Sequence, residues 1–85
     1  MIRYSIIIPH YNIPVMLERC CNSIPEREDI QVIIVDDCSP NAADYLQKYA
    51  FLKRKNIEIH FNDSNGGGGL ARNIGMKYAK GQWLL

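Results

Sequence analysis

The sequence predicts an α/β fold, an open and mainly parallel sheet flanked by helices. Short β-branched runs alternate with longer stretches of helical periodicity, the pattern of consecutive βαβ units. One of those runs, Val32-Ile33-Ile34-Val35, is apolar on both faces, as a strand covered by helices on both sides must be. Polar clusters follow the first three strands, at the strand ends where open parallel sheets bind ligands.

The first strand covers residues 3–8 and ends at Pro9. Pro14 suits a helix first turn and Pro25 stops that helix. Ile13, Leu17, Cys20, Cys21 and Ile24 recur at three- and four-residue spacing, which predicts its buried face. After the second strand, Ser39-Pro40 reads as a capping hydroxyl and a first-turn proline, with Ala43, Leu46 and Ala50 turned inward. The third strand, residues 56–62, alternates Ile57, Ile59 and Phe61 with Glu58, His60 and Asn62, which predicts one wet face and an edge position. A third helix follows the glycines 66–69, uses Leu70, Ala71, Ile74 and Tyr78, and ends near Gly81. Trp83-Leu84-Leu85 begins a fourth strand.

Composition narrows the function classes. With 85 residues there is room for one small domain at most, and only about 60% of the unfolded surface is buried in so short a chain. A net charge of +1 gives no electrostatic reason to expect nucleic acid or an anionic membrane as partner. The basic run Lys53, Arg54, Lys55 reads as a solvated helix end. Three cysteines without metal-ligand spacing, Cys20, Cys21 and Cys38, read as reduced and mostly packed thiols of a cytoplasmic protein. Neither a signal segment nor a membrane-length apolar run occurs at the N-terminus.

Three polar clusters converge at the strand ends: Pro9-His10-Tyr11-Asn12, Asp36-Asp37, and residues 65–73. A strand-end carboxylate can accept the imide N–H of uracil, a donor that cytosine lacks. Tyr11 offers a ring face to a base, and amides near Pro9 could meet the base carbonyls. The glycine run, Gly67 included, lets backbone approach a ligand and leads into a helix N-terminus suited to an anion. Arg72, in that helix's first turn, would add a fixed positive charge for a diphosphate. Each piece alone has a plainer explanation: aspartates cap turns, glycine runs make loops, Arg72 decorates a surface, and Tyr11 half-buries itself. His10 and His60 have no evident partner and read as structural. The joint placement is what points to a nucleotide.

These residues resemble a known family. Ile6-Ile7-Ile8-Pro9-His10-Tyr11-Asn12, Val35-Asp36-Asp37-Cys38-Ser39, the stretch from Asn65 to Gly75 with its Ala71-Arg72-Asn73, and the closing Ala79-Lys80-Gly81-Gln82-Trp83-Leu84-Leu85 are similar, in order, to motifs of the family 2 glycosyltransferases. The resemblance implies a Rossmann-like GT-A sheet of strand order 3-2-1-4, with residues 1–85 as the N-terminal nucleotide-sugar-binding part of an incomplete domain. It implies Tyr11 near the base, Asp37 on uracil, Asp36 propping the loop or approaching the ribose, and Arg72 on the nucleotide side, with Pro9, Asn12 and Gly67 completing the binding set. Asn73 and Gly75 would shape the helix for close packing. It further implies Mn²⁺ or Mg²⁺ in the parent enzyme, held by an acidic motif beyond Leu85, and a base further on, so that no catalytic or metal residue falls within these 85. The implied activity is transfer of a sugar, with inversion, from a nucleoside-diphosphate sugar to a glycan or other hydroxyl acceptor. The 85 residues alone would be inactive. A dinucleotide-binding domain fits less well, because its G-x-G-x-x-G follows the first strand rather than the third. The alternative from another class is a non-catalytic nucleotide-binding or assembly module. Its weakness is the ending, since a natural small domain would rarely stop on an apolar strand; in the glycosyltransferase reading the truncated edge at Trp83-Leu84-Leu85 invites self-association.

Overall fold

A computed structural model describes residues 1–63 and 66–85. Asn65, which opens the third motif, lies outside the described residues. Four strands form one sheet: β1 (Tyr4–His10), β2 (Ile30–Asp36), β3 (Ile57–Phe61) and β4 (Trp83–Leu84). Their order is β3-β2-β1-β4 and every pairing is parallel. The crossovers carry α1 (Pro14–Asn22), α2 (Tyr45–Lys48) and α3 (Gly67–Tyr78).

The alternation of a strand sorts the core into two layers. Val32 and Ile34 of β2 face α1 and the segment after it, packing with Leu17, Cys21, Tyr45, Phe51 and Leu52. Ile33 and Val35 face the other way, against Ala71 and Ile74 of α3. β2 is buried along its whole length, as its doubly apolar sequence requires. Gly75 permits the close approach of α3: a Cβ there would stand 2.5 Å from Ile7 Cγ2.

Several local expectations need correction. The segment after β2 does not form one helix from Ser39. It breaks into a 3₁₀ turn at Ala42–Asp44, the single turn α2, and a second 3₁₀ turn at Ala50–Lys53, separated by Tyr49 in extended conformation (φ −119°, ψ 102°). The inward residues are therefore Tyr45, Phe51 and Leu52, while Ala43, Leu46 and Ala50 are exposed. On α1 the buried face narrows to Leu17 and Cys21, leaving Ile13 and Cys20 exposed. Cys38 is exposed too, so only Cys21 is a packed thiol, and burial pushes it up to about 11. Along α3 the buried residues are Ala71 and Gly75, with Leu70 and Tyr78 largely exposed. Arg54 is not a solvated cation: its Nη1 and Nη2 donate to the carbonyls of Cys21 and Ile24, both at 2.7 Å, capping the end of α1.

The predicted wet face of β3 carries a polar network. Gln31 Nε2 donates to Glu58 Oε1 at 2.6 Å and to the Tyr78 carbonyl at 2.9 Å, and His60 lies 2.7 Å from Glu58 Oε2 while stacking on Tyr78. Its other end seats β4: Ser5 Oγ donates to Gln31 Oε1, Lys80 N–H donates to the same oxygen, and Gly81 N–H donates to Ser5 Oγ. Here glycine is obligatory, because a Cβ at residue 81 would lie 2.7 Å from the Ser5 backbone nitrogen and 2.8 Å from the Tyr4 carbonyl carbon. Backbone cannot step aside as a side chain can. Gly81→Ala is expected to destabilise the protein by about 1–3 kcal/mol, the usual cost of overpacking. Urea denaturation checks this, and an unchanged midpoint would show that β4 is not seated by this approach.

Candidate functional site

The carboxyl ends of β1, β2 and β3 form one rim, and backbone bonds stitch it together. Asp37 N–H donates to the His10 carbonyl at 2.9 Å, and Asn62 N–H donates to the Asp36 carbonyl at 2.8 Å. Asn12, Cys38 and Asn41 all adopt positive φ here (52°, 62° and 60°), the three non-glycine cases among the described residues. Such conformations persist only where surrounding bonds over-determine them, and they concentrate at ligand sites.

Asp36 and Asp37 are adjacent in sequence but work in opposite directions, since successive side chains at a strand end alternate faces. Asp36 is fully buried. Its Oδ1 accepts from Ser39 Oγ at 2.6 Å and lies 2.8 Å from His10 Nδ1, while Oδ2 accepts from Ser39 N–H at 2.9 Å. Every bond it makes is internal, so it reaches the rim only through His10 and Ser39. Ser39 Oγ serves this carboxylate, and also accepts from Asn12 N–H at 2.7 Å, instead of capping a helix.

Asp37 instead turns toward α3. Oδ1 accepts from Gly66 N–H at 2.8 Å and Oδ2 from Gly67 N–H at 2.9 Å. The Gly66 amide is the chief cause that holds its carboxyl below the ordinary 3.8, against partial desolvation, with Gly67 and the Asn62 side chain adding to the lowering. The Asn62 part is the weakest, since its Nδ2 makes no hydrogen bond of proper geometry. Gly67 supports this arrangement with φ +83°, which a side chain would strain. A carboxylate offers about four acceptor positions, so these two bonds leave acceptor capacity on Asp37, which is itself 5% exposed.

The other predicted residues divide: Tyr11 and Asn12 follow the end of β1, while Pro9 and Arg72 line a cleft that includes neither aspartate. Tyr11 is 47% exposed and stacks on no aromatic ring among the described residues. Asn12 is exposed beside it. The amides of Asn12 and Ile13 are already engaged, so they are not the free donors expected near Pro9. Pro9 and Arg72 line one cleft between α3 and β4, together with Gly69 and Asn73. Arg72 lies in the second turn of α3, not the first, since the helix begins at Gly67. It makes no ion pair among the described residues. A second cleft, lined by Arg27, Lys55, Glu58 and Lys80, sits at the opposite end of the sheet, away from this rim.

The rim, parallel order and motif spacing agree with one family, and the comparison with known proteins decides it. Residues 5–85 match glycosyl transferase family 2. The chain belongs to that family. Among curated relatives, the minor teichoic acid biosynthesis protein GgaB of Bacillus subtilis is 35% identical over 85 residues, 95% of this chain and 9% of its own length. The poly(ribitol-phosphate) β-N-acetylglucosaminyltransferase TarS of Staphylococcus aureus is 30% identical over 91 residues, all of this chain and 16% of TarS. The crystal structure of S. aureus TarS superposes with a TM-score of 0.78 at 28% identity, covering 99% of this chain and 16% of that one. That of TarS 1–349 in complex with UDP-GlcNAc gives 0.71 at 30% identity, covering 99% and 25%. A mannosyltransferase of Pyrobaculum calidifontis, solved with GDP-Man and Mn²⁺, gives 0.74 at 20% identity over 92% of this chain and 24% of its own, which shows shared fold alone. The chain therefore spans a small part of the length of the curated relatives it matches.

The divalent metal that the resemblance implies has no holder among the described residues. Among the described residues no group of three His, Cys, Asp or Glu side chains could hold an ion. Asp36 is enclosed by donors and Asp37 is engaged by two amides.

Of the residues that sequence reasoning missed, His10 matters most. Its partner Asp36 is 26 residues away, but β1 and β2 pair His10 directly with Asp36, and the strand register was the signal that could have found it.

Proposed function

We propose that these residues form the nucleotide-binding portion of an enzyme that transfers a sugar from a UDP-sugar to a hydroxyl acceptor. The observation that carries this is Asp37, whose carboxylate joins the end of β2 to the glycine start of α3. In this reading the uracil acceptor lies beside the start of α3, where the Gly66 and Gly67 amides already serve the Asp37 carboxylate. The UDP-GlcNAc complex of TarS supports the choice of nucleotide.

In this reading Tyr11 carries the base on its ring, with Pro9 and Asn12 shaping the turn around it. Asp37 accepts the imide N–H. Gly67 and its neighbours keep the approach to the diphosphate open, and Arg72 neutralises charge from the cleft side. Asp36 supports the rim from below. In the transfer, the acceptor oxygen bonds to the anomeric carbon as the bond from that carbon to the diphosphate oxygen breaks. The nucleoside diphosphate leaves with the electron pair, and direct displacement inverts the carbon. The group that takes the acceptor's proton and the ligands of any divalent metal are assigned to none of these residues. The three free thiols fit a reducing cytoplasm, which we propose as the location.

Calorimetry with nucleotides tests the reading. The 85-residue chain is expected to bind UDP in the high micromolar to millimolar range and to prefer it to CDP, and to transfer no sugar. Tyr11→Ala should weaken both nucleotides alike, because a ring face reads shape rather than donors. Equal affinity of the unaltered protein for UDP and CDP would remove the assigned role of Asp37, and sugar turnover by these residues alone would refute their inactivity. A separate proposal concerns assembly: Trp83, Leu84 and Leu85 are exposed along β4, and we expect copies to associate there. Sedimentation showing only monomer at high concentration would exclude it.

A further inference from the structure

His10 is 4% exposed, and both of its ring nitrogens are engaged. Nε2 accepts the Ile13 N–H at 3.1 Å, and a nitrogen that accepts an amide carries no proton. That leaves Nδ1 as the donor toward Asp36 Oδ1, 2.8 Å away. The Tyr45 ring backs it, with centroids 5.8 Å apart.

What His10 holds is the turn that carries Tyr11. Ile13 is the N-cap residue of α1 and has no side-chain oxygen, and Met16 in the first turn cannot reach back as a capping Glu would. His10 Nε2 supplies the missing acceptor. Asn12, at φ 52°, is held from the other side by Ser39 Oγ, which itself donates to Asp36. The bonds close a ring: Asp36, His10, Ile13, Asn12, Ser39 and back to Asp36. Within this held turn Tyr11 and Ile13 are both exposed, and of the two only Tyr11 offers a ring face, which stacks on no aromatic ring among the described residues. A turn fixed on both sides of such a ring is a pre-ordered platform.

We infer that His10 is a positioning residue for nucleotide-base binding, acting through Tyr11 by fixing residues 10–13. The inference rests on the proposed base site and adds the residue that sets its geometry. His10→Asn isolates the effect. The shorter amide keeps a donor for Asp36 but has no atom where Nε2 accepts from Ile13.

The experiment is a double-mutant cycle of UDP affinity by calorimetry on the protein, its His10→Asn and Tyr11→Ala variants and the combination. Far-ultraviolet circular dichroism reports the folded state of each. His10→Asn is expected to weaken UDP about 3- to 10-fold, the range of one lost hydrogen bond, while remaining folded. In the Tyr11→Ala background the same change should weaken UDP by less than about twofold, because a platform without its ring has nothing left to position. Unchanged UDP affinity in His10→Asn, or an equal loss in both backgrounds, overturns the inference and leaves the base site standing. Absence of UDP binding by the unaltered protein overturns the base site and this inference together.

Discussion

Asp36→Ala is expected to unfold the protein or nearly so. The carboxylate is fully buried and satisfies His10 Nδ1–H, Ser39 N–H and Ser39 Oγ–H. Alanine leaves three buried donors without an acceptor, at about 1–3 kcal/mol each. Some relief comes from relaxation and water entry, so a total of about 3–5 kcal/mol is the reasonable figure. An 85-residue domain has little more stability than that to lose. Asp36→Asn should fall between, because its amide keeps one acceptor oxygen but turns a second donor toward Ser39 or His10. Urea denaturation followed by circular dichroism checks the ranking. An Asp36→Ala variant that melts within about 2 °C of the parent would mean that the ring is replaceable by water.

Much of this rim was legible, and the limit on the rest is physical. β2 announced itself through four consecutive β-branched residues, and period-two alternation carries straight on into the aspartates. Val32 and Ile34 face α1, so Asp36 faces that way as well; Ile33 and Val35 face α3, and Asp37 follows them. The division of labour between the two carboxylates was therefore present in the strand parity. The partner of His10 was not, because that needs the β1–β2 register, a non-local quantity. The segment after β2 misled for a different reason. Its alanines and Leu46 suggest a helix, yet the tertiary gain from burying Tyr45, Phe51 and Leu52 breaks the period at Tyr49. Helix propensity is a weak preference that packing overrides.

Asp37→Ala is expected to weaken UDP about ten- to a hundredfold, the range for losing a charge-assisted bond to the imide N–H. A purely base-reading carboxylate would leave folding untouched. The structure requires otherwise, since Asp37 also accepts from Gly66 and Gly67 at the start of α3. Its removal should loosen that helix start and lower thermal stability as well. The two roles separate by pH and by nucleotide. The carboxyl is held below its ordinary 3.8, so its contribution to stability is complete above that value and disappears as the pH falls through the lowered one. Above pH 5, then, Asp37→Ala should be less stable than the unaltered protein, and the gap should close as the pH drops below about 4. Base reading shows in the ratio of UDP to CDP affinity, which a loosened helix start would not change. The expected result is a UDP preference lost in Asp37→Ala, with CDP binding weakened far less. A variant that loses stability but keeps its preference for UDP would leave Asp37 as the clamp of the glycine start alone and assign the imide to another acceptor.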